Sequence, residues 1–179
     1  PWANFNEEGQ NKFLYVVDPA ANKVWKGPVK DLPISIAEQL QSTNMQFVQI
    51  ENKLILTGGY GYRKSKADYI THPYLTIIRV DELVDAIIQD GSISNSFSQI
   101  EDSRMAVTGG RMAISHDTIF LAGGQRFDGL YNPHGPDHGP GFSQTYSNEI
   151  RKFAISYEGK LPAIINYSAI HDSINLHRR

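Results

Sequence analysis

The residues that could do chemistry fall in two stretches of the chain. The more unusual one reads Arg126-Phe-Asp-Gly-Leu-Tyr131-Asn-Pro-His134-Gly-Pro-Asp137-His138-Gly-Pro-Gly-Phe142. His134, Asp137 and His138 are donor types that zinc accepts, and spacings of three and four would set them on one face of a helix. The prolines and glycines between 129 and 141 deny that helix. A metal there needs a loop wrapped around the ion, with His72 as a further donor. We expect neither a metal nor a cofactor. Asp128 and Asp137 are near one another in sequence, but nothing fixes their separation, so they do not define an acid–base pair. Cysteine is absent, which removes disulfides, thiolate ligands and thiol nucleophiles.

The other stretch lies between Gly59 and Leu75 and holds Tyr60, Tyr62, Arg63, Lys64, Lys66, Tyr69, His72 and Tyr74. Tyrosine and arginine are the types that carry binding energy at protein and glycan surfaces. Long connections inside a compact domain are more often functional than idle. The plainer reading is a polar connector whose tyrosines lie against the fold. Tyr60, Tyr62, Arg63, Tyr69 and His72 are the binding candidates here. Arg126, Phe127, Tyr131, His134 and His138 are those of the second stretch.

Both stretches leave the same signal. Asn52-Lys-Leu-Ile-Leu-Thr-Gly-Gly-Tyr60 returns as Asp117-Thr-Ile-Phe-Leu-Ala-Gly-Gly-Gln125: a polar pair, an apolar strand, then two glycines that allow a sharp exit. If the two strands are equivalent, both excursions emerge on one face. Upstream, Leu14-Tyr-Val-Val-Asp18-Pro-Ala-Ala-Asn22-Lys-Val-Trp25 reads as strand, turn and strand. Strands are also expected at 45–50, 75–80, 96–101, 112–115, 149–156 and 161–167. Residues 32–40 and 81–88 carry helical spacing, and Asp90-Gly91 stops the second helix. Arg104-Met-Ala-Val-Thr-Gly-Gly110 has too little strand before its glycines to count as a third copy and reads as a bend.

Gly58-Gly59, Gly123-Gly124 and the Tyr15/Asp18/Trp25 set resemble the kelch repeat, whose blades run through an apolar strand, a glycine pair, a Tyr-x-x-Asp strand and a tryptophan. The resemblance implies an all-β chain: a kelch-type β-propeller fragment of four-stranded antiparallel blades with short helical insertions. Residues 1–30 then form the second half of a first blade. Residues 31–103 form a second blade with a helical insertion near 81–88, 104–168 a third with the long Gly/Pro/His loop, and 169–179 the start of another. Propellers close with four blades or more, so the remaining blades of the same propeller are expected partners. A β-sandwich of the same strands is the alternative. The chain begins at Pro1, which reads as a processed or excised piece.

A formal charge of −2 over 179 residues gives no basic surplus for nucleic acid, and no apolar run is long enough to span a bilayer. The expected function is a non-enzymatic recognition or scaffold domain that presents aromatic and basic loops to a protein or glycan. We expect an extracytoplasmic setting in a bacterial envelope or cell-surface assembly. The alternative is a kelch-type sugar-modifying enzyme, mutarotase- or epimerase-like. The copper oxidases of this resemblance need a tyrosine joined to cysteine, which this chain lacks. Arg63, Arg104, Arg111 and Arg126 could line a sugar pocket, but no acid and base can be placed across one.

Overall fold

The computed structural model describes residues 9–131 and 141–171. An antiparallel hairpin, β1 (Phe13–Asp18) and β2 (Lys23–Pro28), leads into α1 (Ile34–Leu40). Next come β3 (Gln46–Ile50), β4 (Lys53–Thr57), β5 (Tyr60–Arg63), β6 (Asp68–Thr71), β7 (Tyr74–Arg79), α2 (Val80–Ile88) and β8 (Phe97–Glu101). The last group is β9 (Arg111–Ser115), β10 (Thr118–Ala122), β11 (Gln125–Gly129), β12 (Phe142–Tyr146), β13 (Glu149–Ser156) and β14 (Ala163–His171). Two sheets have four antiparallel strands, in the orders β3-β4-β7-β8 and β9-β10-β13-β14. The pairs β1-β2, β5-β6 and β11-β12 stand as separate two-stranded sheets. The described residues therefore form an all-β fold with short helices. They do not form a closed ring of sheets.

Period-two alternation in β4 decides how the sheets stack. Leu54 and Leu56 enter a core shared with α1, α2 and the β1-β2 hairpin, where Leu32, Ile36, Leu40 and Ile87 are buried and Trp25 packs against them. Ile55 points the other way, into a second core with Ile119, Leu121 and Phe153 of the neighbouring sheet. The sheet β3-β4-β7-β8 is thus covered on both faces, which is why its second strand reads as a continuous apolar run. Ile119 and Leu121 of β10 repeat the inward pair Leu54 and Leu56. Phe120, at the position of Ile55, lies on the opposite face and is only partly buried.

The equivalent turns also match. Two residues, Glu51-Asn52 and His116-Asp117, join the first and second strands of each sheet. The leading residue adopts left-handed φ in both, 51° at Glu51 and 52° at His116. The strands and helices that were expected fall within a few residues of their places, while β5, β6, β11 and β12 stand where loops were expected. β14 is the main exception: it starts after Pro162, which has no N–H to donate, and runs on to His171. It thereby crosses the boundary expected at 168, with a bulge between Lys152 and Ala154 in its partner strand. Residues 172–179, expected to open a further blade, lie outside the described residues. Among the described residues no helix is long and apolar enough to cross a membrane.

Candidate functional site

Each glycine pair releases the chain between the second and third strand of its sheet. Gly58 has φ of 64°, and a Cβ there would meet the Val107 carbonyl oxygen at 1.7 Å, so close backbone contact excludes every other residue. Gly59 donates its N–H to that same carbonyl at 3.0 Å. From below, α1 holds this exit through one buried side chain. Gln39 Nε2 donates to the carbonyls of Gly58 at 3.2 Å and Tyr74 at 3.0 Å, while its Oε1 accepts from Thr76 Oγ1 and Gln99 Nε2. Both ends of the excursion are therefore tied to one amide.

The expected wandering loops are hairpins. Residues 60–71 pair as β5-β6 with Tyr62 opposite Tyr69 and Arg63 opposite Asp68. The flanks of the second stretch pair as β11-β12, with Phe127 opposite Gln144 and Gly129 opposite Phe142. The sequence reading missed both pairings because alternation over four or five residues is too short to stand out among tyrosines and charges. His134, Asp137 and His138 lie outside the described residues. Among the described residues no cluster of three His, Asp or Glu side chains is placed to hold a metal.

The two hairpins lie side by side, β6 against β11, and two hydroxyls of the first clasp the backbone of the second. Thr71 Oγ1 donates to the Phe127 carbonyl at 2.8 Å and accepts from the Phe127 N–H at 2.7 Å. Tyr60 donates its hydroxyl to the Gly129 carbonyl at 2.7 Å and accepts from the Tyr131 N–H at 3.1 Å. Each hydroxyl thus takes the place of a backbone rung, satisfying groups that burial would otherwise leave at a cost. Burial pushes the Tyr60 phenol up to about 12, partly offset by the Tyr131 N–H, so it remains a donor across the physiological range.

Above these clasps runs a chain of ring contacts. Tyr62 meets Tyr69 at 5.0 Å, Tyr69 meets Tyr60 at 6.3 Å, and Tyr60 meets the edge of Phe127 at 5.0 Å. Phe127 stacks on Phe142 at 4.7 Å and meets Tyr131 at 5.5 Å. Tyr60 and Phe127 form its buried middle, while Tyr131 is 43% and Phe142 37% exposed. Tyr62 and Tyr69 are half-buried. Phe142 was not among the expected site residues; its only sequence signal is that it follows the Gly/Pro run.

The charged candidates are paired. The Arg63 Nε donates to Asp68 Oδ1 at 2.8 Å with a second bond from Nη2 to Oδ2. This fork holds the Asp68 carboxyl below its ordinary range and raises the guanidinium. Arg126 donates to Asp128 at 2.7 Å. Both arginines therefore offer ion pairs where the sequence suggested basic loops.

His72 needs a larger correction. Its side chain is fully buried, lies against Gly61 and is stacked on Tyr74 at 6.1 Å. Among the described residues no hydrogen-bond partner meets either ring nitrogen. Burial, then the nearby Arg63, depress its pKa to about 4. It is a neutral support beneath the hairpins and cannot touch a partner. The turn at the tip of β5-β6 is held separately, by the buried Glu38 carboxylate of α1, which accepts from Ser65 N at 2.8 Å and Ser65 Oγ at 3.2 Å. No protein-family model matches this chain and no curated protein matches it, so its function has to be argued from this geometry.

Proposed function

We propose that the chain is a non-enzymatic recognition module, part of a kelch-type β-propeller, that binds a protein or glycan through the aromatic rim formed by β5-β6 and β11-β12. The observation that carries the reading is the double clasp of Thr71 and Tyr60 onto the β11 backbone. It merges two excursions, distant in sequence, into one rigid surface with exposed rings at its end, and rigid aromatic side chains bind with little entropic cost. The stacking of equivalent sheets supports the propeller reading, since each uses the same alternate pair to cover its neighbour. Setting the module in an extracytoplasmic bacterial envelope or surface assembly is part of the same proposal.

The cavity that is lined by Lys26, Asp31, Asp90 and Ile87 sits between β2 and α2. It shares no residue with the rim, and gives the sugar-modifying alternative no support. A glycan array and a pull-down from the source organism's envelope, run with the wild type and with Tyr62→Ala/Tyr131→Ala, test the proposal. Loss of a specific ligand in the double variant at unchanged thermal stability is the expected result. Ligand binding that survives the double variant would sink the rim as the site.

A further inference from the structure

His72 sits where the first hairpin meets the sheet that carries it. Its N–H donates to the Gly59 carbonyl at 2.8 Å and closes the base of β5-β6, and the residue before it is Thr71, which clasps β11. A Cβ on Gly61 would stand 3.7 Å from His72 Nε2, which places the ring directly against β5. Tyr74, at the start of β7, stacks on it from the sheet side. The residue is 0% exposed, and among the described residues neither ring nitrogen is hydrogen-bonded. A neutral imidazole bears that enclosure at a modest cost. An imidazolium, charged and with two N–H groups to satisfy, does not.

The groups around the ring leave that cost uncompensated. From β5, Arg63 opposes a positive imidazole; from β6, Asp68 favours it more weakly, its carboxylate being forked to Arg63. From α1, the Glu38 carboxylate is taken up by Ser65. From β7, burial keeps the Tyr74 phenol protonated beyond its ordinary range, and the connection after α1 sets the uncharged Ser42 against Gly61. The cover is the part that can yield: β5-β6 is a two-stranded sheet outside both four-stranded ones, and such ribbons are marginal alone and open before a core does.

We propose that His72 is an acid-operated release for the rim: protonating its buried imidazole lifts β5-β6 and withdraws Tyr60 and Thr71 from β11, so that a bound ligand is shed in acidic surroundings. The inference rests on the reading of the rim as a binding surface. Its sign follows from a folded pKa of about 4 against 6.5 for the exposed ring. Lifting is indifferent to pH above 6.5, is favoured as pH falls, and gains up to about 300-fold once both forms are protonated.

Native-state amide exchange at pH 7 and pH 4.5, corrected for the intrinsic pH dependence of exchange, tests it without a ligand. The amides of Phe127 and Tyr131, held by Thr71 Oγ1 and the Tyr60 hydroxyl, should open at least tenfold more at pH 4.5 relative to those of β4 and β10. His72→Gln, which cannot be charged, should erase that rise, and His72→Phe is the second variant. In the wild type the rise should share its midpoint with the titration of the His72 Cε1–H resonance, a readout that stands whether or not the variants fold. The proposal is overturned if the rise is absent, if it survives the substitutions and so belongs to Asp68 or Glu38, or if β4 and β10 open in step. None of these outcomes depends on ligand binding, so a failed release leaves the rim standing, and a rim that binds nothing leaves the exchange result standing.

Discussion

The sheets β3-β4-β7-β8 and β9-β10-β13-β14 share strand order, turn geometry and a glycine exit, yet the same position in each carries a different load. Ile55 is 0% exposed between two covered faces, whereas Phe120, its counterpart, is only partly buried among the described residues. Gly58 is pressed on the Val107 carbonyl, whereas a Cβ on Gly123 meets nothing within 4 Å. A repeat in sequence fixes backbone shape, and stacking decides how much each repeated residue matters.

The glycines give the largest expected contrast. Gly58→Ala must displace backbone and should cost about 4 kcal/mol or more, while Gly123→Ala pays only for left-handed φ, about 1–2 kcal/mol. Urea denaturation of the two variants checks this, and equal losses would break the comparison. Ile55→Ala comes next, at about 3–4 kcal/mol for a fully buried aliphatic. Phe120→Ala should lose less than half of that despite removing more atoms.

The hairpins differ in pH response. His72 supports the first, and among the described residues it is the only buried histidine. Its folded pKa, about 4, lies below the unfolded value of 6.5, so the unfolded chain binds the extra proton. Its contribution is complete above pH 6.5 and is lost as pH falls toward 4, by about 3 kcal/mol in all. His72→Phe should flatten the stability profile across that window, and an unchanged profile would remove His72 from the account. Thr71→Val is expected to be milder, about 2 kcal/mol, because it leaves the Phe127 N–H and carbonyl unsatisfied. The loss should appear as a weaker near-UV signal from the ring chain with the four-stranded sheets intact.

Much of the scaffold could be read from residues. The twin glycines and the apolar strands β4 and β10 that lead into them are local rules, and each appears where it was expected. The rim was legible only in part. Tyr60, Tyr62, Tyr69, Phe127 and Tyr131 do meet, but Thr71 and Phe142 gave no warning, Arg63 and Arg126 are spent on Asp68 and Asp128, and His72 is buried. Those outcomes depend on which hairpin lies beside which, and no short window of sequence contains both.

The sequence by itself determined the strands, their turns and the two sharp exits, because φ, ψ and period-two burial are set within a few residues. Only the tertiary structure decided that the exits lead into adjoining hairpins, that a threonine and a tyrosine hydroxyl stitch them, and that an imidazole is sealed beneath. Desolvation and contact between residues dozens of positions apart are properties of packing, and packing is where the two repeats cease to be alike.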